Sequence, residues 1–373
     1  MNTRIALAST SIRIVVVACL MFLLSTCARG SSVLPQASKT APVPATGVLV
    51  TPSPPTAATV FPTLTLTPLP TSSPSSVPLP SLAEYKSFSY SVGAIAYSPD
   101  KRYLAMGGRS VRLIEINTGE IVWAFEIPDK DAEQAGLSGE RAIAFSPDGT
   151  LVVAGGFEQI IYLLDAYTGQ LKDTLEHHGV ISNLAFSREG QYILAGSYGE
   201  NPGLTVWQFQ MASSMHWPMD TYYMAVAPNR PLVTIEDNDV TLVNYETGSA
   251  EMVIPSEDGY GLAFSPDGKT LATRARDGSL ELWDVTLATK LEWDAWRDYQ
   301  ANVYDAAWSS GNMLALLSED GTIVVWNMDY QKPIGMAKLP GAEKLAFSLD
   351  GSLLASSSYK TSPAVVTLWA IPN

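Results

Sequence analysis

The chain has 373 residues, of which 46% are hydrophobic and 16% are charged, so its length allows one large domain or two ordinary ones. The charge is uneven, because residues 1–83 carry four basic residues and no acidic residue, whereas the remainder carries 19 basic and 37 acidic residues. A folded part with a net charge of −18 repels phosphate backbones, so we expect no nucleic-acid partner. The simplest interpretation of the acidity is solubility.

The first 27 residues have the features of an export signal. Arg4 and Arg13 precede an 11-residue apolar run, Ile14–Leu24, which is too short to span a bilayer but has the length of a signal core. The run is followed by Leu24-Ser25-Thr26-Cys27, which resembles the lipobox of bacterial lipoproteins. This resemblance implies lipidation of Cys27 and an exported protein held at the cell membrane or cell surface. Lipidation at Cys19, or an uncleaved anchor, are the alternatives.

The next segment, residues 28–83, has the composition of a tether. It holds 12 of the 25 prolines together with many Thr and Ser residues, and it has no core-forming period. We expect a disordered linker, which in an extended proline-rich conformation reaches up to ~150 Å at ~3.1 Å per residue. Cys19 and Cys27 are the only cysteines, so the rest of the chain offers no disulfide and no thiolate metal site.

A recurring turn organises the rest of the chain. In one copy, Ser265-Pro266-Asp267-Gly268 joins two alternating runs, and a hairpin at Asp277-Gly278 leads to a third run that ends in Trp283-Asp284. Three such strands resemble one WD40 repeat, whose period is ~40–45 residues. The turn recurs at intervals of 48, 41, 40, 38, 44 and 39 residues, beginning at Ser98, Ser146, Ser187, Ala227, Ser265, Ser309 and Ser348. The resemblance implies an all-β, seven-bladed β-propeller over residues 84–373.

The two ends of this region complement each other. The third strand of the last repeat ends near Trp369, which leaves that blade without an outer strand. Glu84–Tyr90 is an extended segment ahead of the first repeat and has no partner of its own. We therefore predict that residues 84–90 close the last blade and remove an open edge.

The sequence offers little for catalysis. The three histidines are His177, His178 and His216, and no Gly-x-Ser-x-Gly elbow or glycine-rich phosphate loop is present. The acidic group at Glu236, Asp237 and Asp239 lacks the spacing of a calcium loop and fits an exposed hairpin tip better. Asn117–Trp123 resembles the tryptophan-docking motif of quinoprotein propellers. An enzyme, or a propeller that binds a quinone cofactor or another small ligand, with its site in the central channel is the alternative. We expect no enzyme, no cofactor and no metal.

Recognition of another protein is the remaining function. In WD40-like propellers, the loops that follow the outer strands and those between the second and third strands gather on one face, which such proteins most often use for binding. Here these loops hold residue types that anchor interfaces, namely Trp296, Arg297, Tyr299, Tyr198 and Tyr359. We expect a protein partner on this face of a monomeric propeller, with the opposite face as an alternative.

Overall fold

The structure is a computed structural model of the chain. It describes residues 79–90, 92–128, 142–209, 213–218, 221–237, 239–256, 259–293, 302–358 and 364–372, all of which lie in one compact unit, Pro70–Asn373. The predicted signal, Cys27 and almost all of the predicted linker lie outside these residues. Among the residues described, no helix has the length and apolar character needed to cross a membrane.

The described residues form 27 β-strands. In chain order, the strands are β1 Ala83–Phe88, β2 Val92–Tyr97, β3 Tyr103–Gly108, β4 Ser110–Glu115, β5 Ile121–Glu126, β6 Ala142–Phe145, β7 Leu151–Gly155, β8 Ile160–Asp165, β9 Leu171–Glu176, β10 Val180–Phe186, β11 Tyr192–Tyr198, β12 Gly203–Gln208, β13 Ser213–Trp217, β14 Leu232–Asp237, β15 Asp239–Asn244, β16 Ala250–Ile254, β17 Tyr260–Phe264, β18 Thr270–Arg274, β19 Leu280–Asp284, β20 Thr289–Leu291, β21 Val303–Trp308, β22 Met313–Ser318, β23 Thr322–Asn327, β24 Lys332–Lys338, β25 Lys344–Phe347, β26 Leu353–Ser358 and β27 Val365–Ala370.

These strands make seven antiparallel sheets, so the predicted seven-bladed propeller is confirmed. The blades are β2–β5 (blade 1), β6–β9 (blade 2), β10–β13 (blade 3), β14–β16 (blade 4), β17–β20 (blade 5), β21–β24 (blade 6) and β25–β27 with β1 (blade 7). Each of the seven buried apolar clusters lies between two neighbouring blades, including the junction of blades 7 and 1. The core is therefore distributed around the ring rather than concentrated in one place.

The recurring turns join the first and second strands of the blades. In blade 2, the Ser146 hydroxyl donates to Asp148 Oδ1 at 2.6 Å and accepts from the Leu151 backbone N–H at 2.9 Å. The same pair of bonds forms in blades 1, 5 and 7, at Ser98, Ser265 and Ser348. The serine and aspartate recur because together they satisfy the backbone of a tight turn. We call the face that carries these turns the lower face, and the opposite face the upper face.

The ring is closed by the first described strand. In blade 7, β1 lies antiparallel to β27, with Ala83 opposite Ala370 and Phe88 opposite Val366. The strand is Ala83–Phe88, slightly ahead of the segment expected from the sequence. Just before it, Pro80 and Leu82 hydrogen-bond to Met336 of β24, so one short segment contacts two blades. Leu82 is only 5% exposed and packs into the core between blades 6 and 7.

Aromatic side chains from outer strands dock on glycines of the next blade. Trp123 of β5 lies over Gly169, and its indole N–H donates to the Ala166 carbonyl at 2.9 Å. Phe88 meets Gly119 of blade 1, and Trp217 of blade 3 meets Gly248 of blade 4 in the same way. The Asn117–Trp123 motif thus has a packing role between blades 1 and 2.

Candidate functional site

Of the five predicted partner-binding residues, Tyr198 lies in the described part of the chain, and it is on the upper face. Tyr198 ends β11, the second strand of blade 3, and is partly buried. The other four, Trp296, Arg297, Tyr299 and Tyr359, lie outside the described residues and remain predictions. The candidate site is therefore described from Tyr198 and the residues around it.

Two stacked tyrosine pairs link three blades at this face. The rings of Tyr198 and Tyr222 stack with centroids 4.8 Å apart, and Tyr222 is 50% exposed. The next residue, Tyr223, stacks on Tyr260 of β17 with centroids 4.0 Å apart and planes within 5°. Because Tyr222 faces blade 3 and Tyr223 faces blade 5, adjacent residues extend the aromatic surface in two directions.

The backbone here departs from the regular blade. Blade 4 has only three strands, and its inner segment pairs through one bridge, Val226 with Val233. Before that bridge, side chains rather than a neighbouring strand hydrogen-bond to the backbone. The Asn183 amide donates to the Tyr222 carbonyl at 2.5 Å, and the Tyr223 N–H donates to Glu236 Oε1 at 3.2 Å. Tyr222 and Tyr223 therefore lie outside a regular strand and are held by bonds to side chains of neighbouring strands.

A cation lies over each ring of the second pair, Tyr223 and Tyr260. The Lys344 ammonium is 5.4 Å from the centroid of Tyr223, and the Arg274 guanidinium is 5.4 Å from that of Tyr260. Arg274 also pairs with Glu319 at 2.9 Å, which fixes its position. Burial raises the pKa of Tyr223, so its hydroxyl is protonated throughout the neutral range.

A buried carboxyl, that of Asp305, lies near Lys344. Asp305 of β21 accepts a hydrogen bond from the Leu345 N–H at 2.8 Å, which joins blade 6 to blade 7. Burial raises the pKa of Asp305, and the charge of Lys344 opposes that shift. Lys344 therefore contributes a positive charge close to both Asp305 and the ring of Tyr223.

A cavity of about 250 Å³ lies beside the tyrosine pairs, at the upper mouth of the central channel. Tyr222, Tyr223 and Tyr304 line one side, and Lys344 stands beside them. Blades 1 and 2 contribute small residues, including Gly93 and Ala142, and these leave the space open. The mouth can hold an inserted side chain or small ligand by ring contact and hydrogen bonding.

The histidines do not converge on this mouth. His177 is buried, His178 is exposed, and His216 lies in the outer strand β13, as its position in the sequence predicts. His216 Nδ1 hydrogen-bonds Thr205 at 2.8 Å. Within the described ranges, no group of three His, Cys, Asp or Glu residues is placed to hold a metal ion.

Sequence reasoning missed Tyr222, Tyr223, Tyr260, Tyr304 and Lys344. A signal was present, because Tyr222, Tyr260 and Tyr304 each stand five residues before the first residue of the recurring turn in blades 4, 5 and 6. Aligning the seven turns superimposes these positions at the start of the inner strands. The spacing that defines the repeat therefore also identifies one tyrosine in each of three consecutive blades, and two of them, Tyr222 and Tyr304, line the cavity.

Comparison with known proteins agrees with this architecture. The family "WD domain, G-beta repeat" matches residues 169–207 and 257–284. The chain is 22% identical to a WD repeat-containing protein WDS homolog of Arabidopsis thaliana over 52% of this chain and 39% of that protein. It is 23% identical to a serine-threonine kinase receptor-associated protein of Bos taurus over 52% of this chain and 55% of the relative. It is 27% identical to the small ribosomal subunit protein RACK1 of Drosophila melanogaster over 40% of this chain and 38% of that protein.

The alignments thus span about half or less of these relatives. Together with the seven sheets, they define the class of protein, a seven-bladed β-propeller that contains WD40 repeats.

Proposed function

We propose that this protein is a membrane-anchored, extracytoplasmic scaffold that binds a partner protein through the upper face and catalyses no reaction. The observation that carries the proposal is the paired stacking of Tyr198 on Tyr222 and of Tyr223 on Tyr260 around the channel mouth. Tyrosines supply large contact area with few rotatable bonds, which favours them as interface anchors. Half of the Tyr222 surface is free to contact a partner.

Two relatives support this class of function by name. One is named as a protein associated with a serine-threonine kinase receptor and another as a protein of the small ribosomal subunit, so both names describe association with other molecules. Trp296, Arg297, Tyr299 and Tyr359 are predicted on the same face from the sequence, and we include them in the proposed interface on that ground.

The partner interaction is tested with the full chain in its own cells. Bound proteins are cross-linked, captured and identified by mass spectrometry for the native chain and for a Tyr198→Ser/Tyr222→Ser variant. Tyr330→Ser is the matched control, because Tyr330 is 74% exposed on the lower face. We expect a protein that is retained by the native chain and the control but lost by the double variant. Equal retention by all three chains would place the interface elsewhere.

The anchor is proposed at Cys27, from its position after the apolar run. Cys27→Ala should abolish incorporation of a labelled fatty acid and move the protein out of the membrane fraction, whereas Cys19→Ala should change neither. Loss of labelling with Cys19→Ala alone would transfer the anchor to that residue.

A small ligand in the channel is a second candidate, favoured by the cavity of about 250 Å³. It predicts that a compound from a metabolite collection raises the melting temperature of the chain at near-stoichiometric concentration. Lys344→Met should remove that shift if the ligand occupies this mouth.

A further inference from the structure

The lower face carries a groove that the upper-face function does not use. Between blades 1 and 2, a cavity of about 290 Å³ is lined by Pro99, Tyr103, Phe145 and Tyr167. Tyr167 is 66% exposed although it follows the buried third strand of blade 2. The outer strands of both blades also begin with exposed apolar residues, Ile121, Val122 and Leu171. This part of the lower face is apolar and aromatic.

Two carboxylates stand at the same groove. Asp100 and Asp148 belong to the recurring turns of blades 1 and 2, and each uses Oδ1 to accept bonds from its own turn. The hydrogen bond from the Ser146 hydroxyl lowers the pKa of Asp148, so this group is ionised at neutral pH. Both aspartates line the cavity.

These two aspartates differ from their equivalents in other blades. Asp267 of blade 5 pairs with Lys269 at 3.7 Å, and Asp350 of blade 7 pairs with Lys101 at 3.3 Å. Within the described residues, Asp100 and Asp148 have no Lys or Arg partner. The two basic neighbours of Asp100 have other partners. Lys101 pairs with Asp350, and Arg102 pairs with Glu115 at 3.5 Å while its guanidinium lies 5.2 Å from the ring centroid of Tyr103 at the edge of the groove.

An aromatic groove with unneutralised carboxylates at its side selects a ligand that is both apolar and cationic. Aromatic-lined grooves bind proline-rich segments, since an extended polyproline helix presents flat apolar rings at little cost in entropy. The carboxylates add attraction for a basic side chain.

We propose that this lower groove binds an extended, proline-rich segment of a partner protein that carries an arginine or lysine. Its prolines pack on Tyr103, Phe145 and Tyr167, and its cation pairs with Asp100 and Asp148. The site is separate from the upper face, so the protein can hold two partners at once.

The test uses the full chain and a fluorescently labelled, proline-rich heptapeptide with one arginine. A peptide with norleucine in place of arginine measures the contribution of charge. Affinity is followed by fluorescence anisotropy at low and high salt. We expect binding that weakens with salt and is about tenfold weaker for the norleucine peptide, because that peptide loses the exposed ion pairs with both Asp100 and Asp148.

The variants have matched controls. Asp100→Asn/Asp148→Asn should weaken binding about tenfold while preserving the turns, because the amide Oδ1 of asparagine can accept the same bonds from the serine hydroxyl and the backbone N–H. Asp267→Asn changes an equivalent aspartate that already has a lysine, and should have no effect. Tyr167→Ser should also weaken binding, whereas Tyr330→Ser should not.

Several outcomes would overturn the proposal. These are absence of binding at millimolar peptide, equal affinity for the norleucine peptide, or equal affinity of the groove variants and their controls. Self-association in sedimentation experiments that Tyr167→Ser abolishes would identify a second copy of the chain as the occupant instead. Tyr222→Ser should leave peptide binding unchanged, so failure of the upper-face function and failure of this proposal remain distinguishable.

Discussion

His177 shows how a single residue links packing to pH. It lies at the start of blade 3 with 4% of its surface exposed, and its ring meets the edge of Trp207 at 5.5 Å. Its backbone N–H donates to the Gln159 carbonyl at 2.9 Å, whereas Nε2 has no hydrogen-bond partner among the described residues. Burial, aided by the nearby His216 and His178, lowers the pKa of His177 to about 4. The folded protein therefore holds this imidazole neutral.

The expected consequence is acid sensitivity between pH 6.5 and 4. The unfolded chain binds a proton near pH 6.5 that the folded chain does not bind until about pH 4, so stability falls as the pH is lowered through this range. At pH 4.5 this group lowers the free energy of unfolding by about 2.5 kcal/mol relative to neutral pH. Urea unfolding of His177→Phe should show a pH dependence that is smaller by this amount, whereas His178→Gln, at an exposed position, should behave like the native chain. An unchanged pH dependence in His177→Phe would show that the ring is charged in the folded state.

At the scale of elements, the docking of Trp123 on Gly169 predicts a local sensitivity. Gly169 has φ +70°, and a Cβ added there would lie 2.7 Å from the Trp123 ring. Gly149 has nearly the same φ, +72°, but its nearest neighbour would be Pro99 at an ordinary 3.6 Å. Gly149→Ala should lower the free energy of unfolding by about 1–2 kcal/mol, from backbone strain alone. Gly169→Ala should cost about 1–3 kcal/mol more, because the ring must move. Equal costs in thermal or urea unfolding would show that the tryptophan docking contributes little.

The elements also show what the sequence could predict. The spacing of the recurring turn identified all seven blades, and in blades 1, 2, 5 and 7 the same bond between a serine and an aspartate two residues later closes the turn. The reduced inner strand of blade 4 was not foreseen, since it depends on side chains such as Asn183 and Glu236 that come from different strands. The tyrosine cluster was missed for the same reason, because stacking depends on neighbours that are distant in the chain.

At the scale of the whole molecule, stability depends on closing the ring. A chain that begins at Ser89 lacks β1, so β27 becomes an exposed edge, and Leu82 no longer fills the junction of blades 6 and 7. We expect such a chain to melt at lower temperature and to self-associate, because open strand edges pair with other chains. A chain that begins at Leu79 keeps both contacts and should remain monodisperse. Light scattering after size exclusion compares the two, and identical behaviour would show that β1 is dispensable.

The strand order within blade 7 also has a consequence for biosynthesis. The ribosome makes β1 before every other strand described here, yet its partner β27 is made last among them. Until β27 emerges, β1 must wait without a partner while six blades assemble, and contacts of such long sequence separation form slowly. A product that stops before Val365 would therefore leave the earliest strand without its partner, so the last strand to be made is the one that completes the ring.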